Sequence, residues 1–85
     1  MITDVAGVEA LLGTLWCETL RLPQVVGTDN FIDLGGNSLA AMRIAATLKD
    51  SHGIDVPMSV ILGDGTLREL ADAVFKQMAP GKTTR

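Results

Sequence analysis

Apolar residues recur at steps of three and four positions in three separate stretches of this chain of 85 residues. The first stretch spans Val5 to Leu20, the second begins near Ser38, and the third begins near Leu67. Such spacing puts apolar side chains on one face of an α-helix, whereas a half-buried strand would need strict alternation, which the sequence lacks. With one further short helix, the pattern predicts an all-α fold, a small four-helix bundle with a long loop between its first two helices.

The first helix is predicted to run from Val5 to Leu20, with Thr3 or Asp4 as its N-cap. Its apolar face consists of Val5, Val8, Leu11, Leu12, Leu15, Trp16 and Leu20. The long loop that follows reads "LPQVVGTDNFIDLGGN", and loops of more than about a dozen residues are usually functional or disordered. Its apolar residues can anchor it to the core; they are Val25, Val26, Phe31, Ile32 and Leu34.

The remaining helices have recognisable ends. The second is predicted from Ser38 to about Ser51, with Gly53 as the residue just beyond its end. A short helix is predicted from Met58 to Leu62, and Thr66 with Glu69 forms a capping box before the last helix. The apolar face of that last helix consists of Leu67, Leu70, Ala71, Val74, Phe75 and Met78.

Bulk properties exclude several classes of protein. Residues 1–79 are predicted to form one small domain, and residues 80–85 a flexible polar tail. The net charge is −3 and the seven basic residues are scattered, which argues against nucleic-acid binding. No apolar run suits a membrane span and no signal peptide is visible, so we expect a cytoplasmic protein. The single Cys17 excludes an internal disulfide and a multi-cysteine metal site, and His52 fits a helix end better than a metal.

Ser38, in the stretch "DLGGNSLAAM", allows three interpretations. In the first, Ser38 is a structural N-cap of the second helix, because serine is a preferred residue at that position. A catalytic nucleophile fits poorly, because no G-x-S-x-G elbow is present and the only histidine, His52, lies about four helical turns away. The third interpretation is an attachment point for a phosphodiester, because a helix N-terminus offers free N–H groups and the positive end of the dipole. Gly35 and Gly36 have no side chain to obstruct a bulky group approaching the hydroxyl.

The segment "DNFIDLGGNSLAAM" resembles the attachment motif of the carrier proteins of nonribosomal peptide synthesis, whose pattern is close to D-x-F-F-x-L-G-G-[HDN]-S-L-x-A. The positions that match are Asp29, Phe31, Leu34, Gly35, Gly36, Ser38 and Leu39. The likeness extends to "LLGTLWCETLRL" before the motif and "GIDVPMSVILGDGTLRELADAV" after it. Three features depart from the family pattern: Asn37 replaces a histidine or aspartate, Ile32 a second aromatic residue, and "LGDGT" a proline-containing string.

The resemblance implies that Ser38 carries 4′-phosphopantetheine, with Gly35, Gly36, Asn37 and Leu39 around the attachment point. The thiol of that arm would hold an amino or other acyl group as a thioester for partner enzymes, in pathways of the kind that make peptide antibiotics. The protein would then be a carrier and not an enzyme. The implied partners are a phosphopantetheinyl transferase, an adenylating enzyme or domain, and condensation or tailoring enzymes, which a monomeric carrier would visit.

The second helix carries two apolar stripes. One, predicted to face the core, consists of Ala41, Ile44, Ala45 and Leu48; the other, predicted to be exposed, consists of Leu39, Met42 and Ala46. Because carriers of this family dock through the second and third helices, the resemblance implies a partner surface made of Leu39, Met42, Arg43, Ala46 and Val60 or Ile61. Carriers of fatty-acid synthesis tend to have acidic residues right after the serine, and none lies between Ser38 and Asp50, so the resemblance implies a peptidyl carrier with mainly apolar docking. The alternatives are an acyl carrier for polyketide or fatty-acid type biosynthesis and a helical adaptor with no covalent group.

Overall fold

The computed structural model describes residues 4–63 and 65–78. The chain forms four α-helices in the order α1 (Val5–Leu20), α2 (Ser38–His52), α3 (Met58–Ile61) and α4 (Leu67–Met78). Within the described ranges no strand occurs, and a single isolated antiparallel bridge joins Asn30 to Thr66. The predicted all-α bundle is therefore confirmed, and the bounds of the first three helices agree with the predicted ones to within one residue. Thr3 and the predicted tail, residues 80–85, lie outside the described residues.

Side chains cap the first and last helices as the sequence suggests. The carboxylate of Asp4 accepts a hydrogen bond of 2.8 Å from the N–H of Gly7, so Asp4 is the N-cap of α1. The predicted capping box is present before α4: the N–H of Thr66 donates to Glu69 Oε1 at 2.8 Å, and the N–H of Glu69 donates to Thr66 Oγ1 at 3.2 Å. Gly53 ends α2 with a left-handed backbone, φ 67°.

The core lies where α1 packs against α4 and α2, while α3 packs against α2. The predicted core faces are confirmed at most positions. The residues with no exposed surface are Val8, Leu12, Ala41, Ile44, Leu48, Ala71 and Val74. On α2 the neighbouring Ala40 is buried as well, and Ala45 is only half-buried. Among the described residues, no helix is long and apolar enough to cross a bilayer.

The long loop, residues 21–37, is held to the core by three of the five predicted anchors: Phe31 is buried, and Val25 and Leu34 are half-buried and pack against the core. The ring of Phe31 is 1% exposed and lies 5.2 Å from the ring of Trp16, centroid to centroid. Val26 and Ile32, predicted as further anchors, are 54% and 49% exposed, so the prediction is wrong for both. The indole N–H of Trp16 is buried and has no hydrogen-bond partner within the described ranges.

Backbone hydrogen bonds also tie the loop to α4. The carbonyls of Asp29 and Gly27 accept bonds of 2.8 and 2.9 Å from the N–H groups of Leu67 and Arg68. Those N–H groups belong to the first turn of α4, where the helix itself offers no acceptor. The loop therefore supplies acceptors for the N-terminal end of α4 and is joined to that helix by hydrogen bonds as well as by apolar packing.

Candidate functional site

Ser38 is the first residue of α2, and the helix is capped by the residue before it. Asn37 has the extended backbone of an N-cap, with φ −148° and ψ −177°, and its Oδ1 accepts a hydrogen bond of 3.0 Å from the N–H of Ala40. The Asn37 carbonyl accepts the first helical bond, 2.9 Å from the N–H of Ala41. The interpretation of Ser38 as the N-cap is therefore wrong, because a cap residue lies just outside the helix and Asn37 already occupies that position.

The hydroxyl of Ser38 is consequently exposed and unbound. It makes no hydrogen bond to any residue the structure describes, and the backbone N–H groups of Ser38 and Leu39 likewise donate to none of them. These two N–H groups lie at the positive end of the α2 dipole, the usual environment of a protein-bound phosphate. A free hydroxyl beside two free donors fits a serine that bears a phosphodiester.

The two glycines before the site are required for different reasons. Gly35 has φ 97°, a left-handed conformation that side chains disfavour, and a Cβ built on it would meet nothing within 4 Å. A Cβ on Gly36 would collide with the ring of Phe31. The expectation that both glycines clear space for a bulky group therefore agrees with the open surroundings of Gly35 only; at Gly36 the absent side chain makes room for Phe31.

The one histidine of the chain lies too far from Ser38 to activate it as a nucleophile. His52 is the last residue of α2, fourteen positions away, which corresponds to about 21 Å along the helix axis. A groove of about 750 Å³ lies between α1, the long loop and the start of α4, and Ser38 does not line it. Over residues 4–63 and 65–78, no group of three His, Cys, Asp or Glu side chains could hold a metal ion.

Beyond Ser38, the outer face of α2 exposes apolar surface. Leu39 and Met42 are 56% and 54% exposed, and Ala46 is exposed beside them, as predicted for the second stripe. Arg43 is also exposed and forms no salt bridge to a described residue. An apolar stripe with an unpaired cation beside it is typical of a protein contact surface.

The contribution of α3 to this surface differs from the prediction. Ile61 is 1% exposed and belongs to the core, so it cannot contact a partner, and Val60 is half-buried. Met58, which the sequence reasoning missed, is 37% exposed. A helix of four residues makes about one turn, so apolar periodicity could not assign its faces.

Comparison with known protein families and sequences identifies the family to which the chain belongs. The family model for the phosphopantetheine attachment site matches residues 10–74. Tyrocidine synthase 3 of Brevibacillus parabrevis is 37% identical over 73 residues, which cover 86% of this chain and 1% of that protein. Phosphinothricin tripeptide synthetase PhsB of Streptomyces viridochromogenes is 37% identical over 71 residues, 84% of this chain and 6% of that protein. The chain thus corresponds to a small part of each of these relatives.

Among solved structures, the chain is similar to BlmI, a type-II acyl carrier protein from Streptomyces verticillus involved in bleomycin biosynthesis. The TM-score is 0.79 at 25% sequence identity, and the alignment covers 88% of this chain and 90% of BlmI. The four helices described above therefore have the arrangement of a small carrier protein.

Proposed function

The chain belongs to the phosphopantetheine attachment site family, and we propose that Ser38 is the residue that carries its 4′-phosphopantetheine. Family membership agrees with the prediction of a carrier rather than an enzyme. The observation that supports Ser38 most directly is its exposed position at the first turn of α2, where its hydroxyl and two backbone N–H groups make no hydrogen bond to a described residue.

The residues around Ser38 have separate tasks in this proposal. On modification, the Ser38 oxygen would bond to the pantetheine-bearing phosphorus of coenzyme A, the bond from that phosphorus to the bridging oxygen would break, and the adenosine-bearing phosphate would leave. The hydroxyl proton would pass to a base of the transferase. The N–H groups of Ser38 and Leu39 then lie where they can donate to the phosphodiester, and the open surroundings of Gly35 leave room for it. When bound, the arm supplies a thiol that can hold an acyl group as a thioester.

We assign the carrier to nonribosomal peptide biosynthesis, because its relatives include tyrocidine synthase 3 and a phosphinothricin tripeptide synthetase. The charge pattern supports the peptidyl subtype, since α2 has no acidic residue before Asp50. The adenylating and condensation or tailoring enzymes of such a pathway would be its partners. The alternative is an acyl carrier for polyketide or fatty-acid type biosynthesis, and the likeness to BlmI, an acyl carrier protein, is the observation that favours it. In either case we expect a cytoplasmic monomer.

The partner surface in this proposal is the exposed side of α2 with the start of α3. Its members are Leu39, Met42, Arg43, Ala46, Met58 and the exposed part of Val60. It begins one residue after Ser38, so an enzyme docked there would have the arm beside it. Because most of this surface is apolar, docking should depend only weakly on salt.

Intact-mass spectrometry tests the attachment. The chain is incubated with coenzyme A and a broad-specificity phosphopantetheinyl transferase, and Ser38→Ala is treated in parallel. We expect one phosphopantetheinyl group on the wild type and none on Ser38→Ala. An unmodified wild type, or a modified Ser38→Ala, would contradict the assignment. As a control, circular dichroism tests whether the Ser38→Ala variant is folded.

A further inference from the structure

We infer that Asn37 is a positioning residue: by capping α2 itself, it keeps the adjacent Ser38 from becoming the cap and so leaves the serine hydroxyl free to react. The inference rests on the proposed attachment at Ser38. It starts from the fact that Asn37 and Ser38 are both preferred N-cap residues and stand next to each other. Only one of two adjacent residues can cap a given helix start.

The structure shows which of the two is the cap. Asn37 is extended and its Oδ1 accepts from the N–H of Ala40, three positions ahead, while Ser38 is already helical. If α2 began one residue later, Ser38 would be extended and its oxygen would accept from the N–H of Ala41 in the same way. The Ala41 N–H instead donates to the Asn37 carbonyl at 2.9 Å, so the observed arrangement excludes a Ser38 cap.

The two arrangements differ in their consequence for the reaction. In the observed arrangement, Ser38 is exposed and its hydroxyl makes no hydrogen bond to a described residue. In the shifted one, an oxygen lone pair is occupied by an N–H and the serine backbone has a different conformation. A nucleophile engaged in this way is weaker and displaced, so losing the Asn37 side chain should slow the transfer rather than unfold the domain.

The first experiment measures kcat/KM for phosphopantetheinylation with coenzyme A and the broad-specificity transferase. We expect Asn37→Ala to lower kcat/KM about fivefold. Loss of one side-chain cap shifts the equilibrium between the two helix starts by about this factor, and only the start at Ser38 leaves the hydroxyl free. Asn37→Asp, which keeps an oxygen that can cap the helix, should restore most of it. Asp4→Ala removes the corresponding cap of α1, far along the chain from Ser38, and should leave kcat/KM unchanged. Equal values for Asn37→Ala and Asp4→Ala would overturn the inference.

The second experiment is a thermodynamic cycle that needs no activity. Melting temperatures are compared for the wild type, Asn37→Ala, Ser38→Ala and the double variant. Because Ser38 caps nothing in the wild type, Ser38→Ala alone should leave the melting temperature unchanged, whereas it should lower that of Asn37→Ala, where the serine has become the cap. An equal effect of Ser38→Ala in both backgrounds would refute the inference. If the wild type is not modified at Ser38, the proposed function fails, and this cycle still decides whether the two caps compete.

Discussion

At the scale of single residues, the site shows that neighbouring positions of one motif can be constrained by different forces. Gly35 is required by its left-handed backbone, and Gly36 by the ring that packs on it. Asn37 is required as a cap, whereas the side chain of Ser38 makes no hydrogen bond to any described residue. Of these four residues, the one proposed to react is thus the one whose side chain has no structural role in the described part of the fold.

Gly36→Ala should destabilise the domain by about 1–3 kcal/mol, as expected for an overpacked core. The backbone of Gly36 is not left-handed, so the cost comes from the collision of the new methyl group with Phe31. Urea unfolding measures it. Phe31→Leu, which replaces the planar ring by a smaller side chain, should reduce the cost of Gly36→Ala in a double variant. If Gly36→Ala is as stable as the wild type, the close packing of this backbone on Phe31 is refuted.

At the scale of helices, α2 separates stability from recognition by using two faces. Ala41, Ile44 and Leu48 have no exposed surface, while Leu39 and Met42 are more than half exposed. Since consecutive members of each set are three or four positions apart, both faces run along the same helix. A substitution on one face should therefore leave the role of the other unchanged.

Leu48→Ala should cost about 2–5 kcal/mol, because it leaves a cavity in the core. Met42→Asp should change the unfolding free energy by about 0.5 kcal/mol or less, as for other surface substitutions. It should nevertheless reduce loading by an adenylating enzyme, because docking would bury an unpaired charge. Thermal melting and a thioester-loading assay on both variants separate the effects. If Met42→Asp unfolds the domain while Leu48→Ala does not, the two faces of α2 are assigned in reverse.

How far the sequence predicts each element depends on its length and on competition between signals. α1 has sixteen residues with regular apolar spacing, and its predicted bounds are confirmed. In α3, four residues are too few for apolar periodicity to show which side chains are buried, so the prediction of Ile61 as part of the exposed partner surface is wrong. At the start of α2, two good cap residues stand side by side, and sequence preference alone could not choose between Asn37 and Ser38.

At the scale of the whole molecule, the long loop is part of the core rather than a connection outside it. It contributes Phe31 to the packing on Trp16 and two carbonyls to the first turn of α4. The sequence predicted that the loop packs down, but it could not rank the apolar residues along it. In a loop without regular spacing, hydrophobicity alone does not distinguish the buried Phe31 from the exposed Ile32 beside it.

Phe31→Ala should cost about 3–5 kcal/mol, a large share of the roughly 5–15 kcal/mol that stabilises a typical domain. Ile32→Ala is the matched control, since this neighbour is 49% exposed and should change stability by about 0.5 kcal/mol or less. Calorimetry gives both values. Amide hydrogen exchange should also show faster exchange at Leu67 and Arg68 in Phe31→Ala, because the loop carbonyls that protect them are released. Equal stabilities for the two variants would mean that Phe31 does not anchor the loop.

The buried contact between Trp16 and Phe31 also makes the intrinsic tryptophan fluorescence a probe of the loop. The chain contains one tryptophan, so all of its indole fluorescence comes from a ring that is 1% exposed and lies against the loop leading to Ser38. Emission should be blue-shifted while the loop is seated and move to longer wavelength when water reaches the indole. Loop movement during modification, loading or docking could therefore be followed in real time on the unlabelled protein.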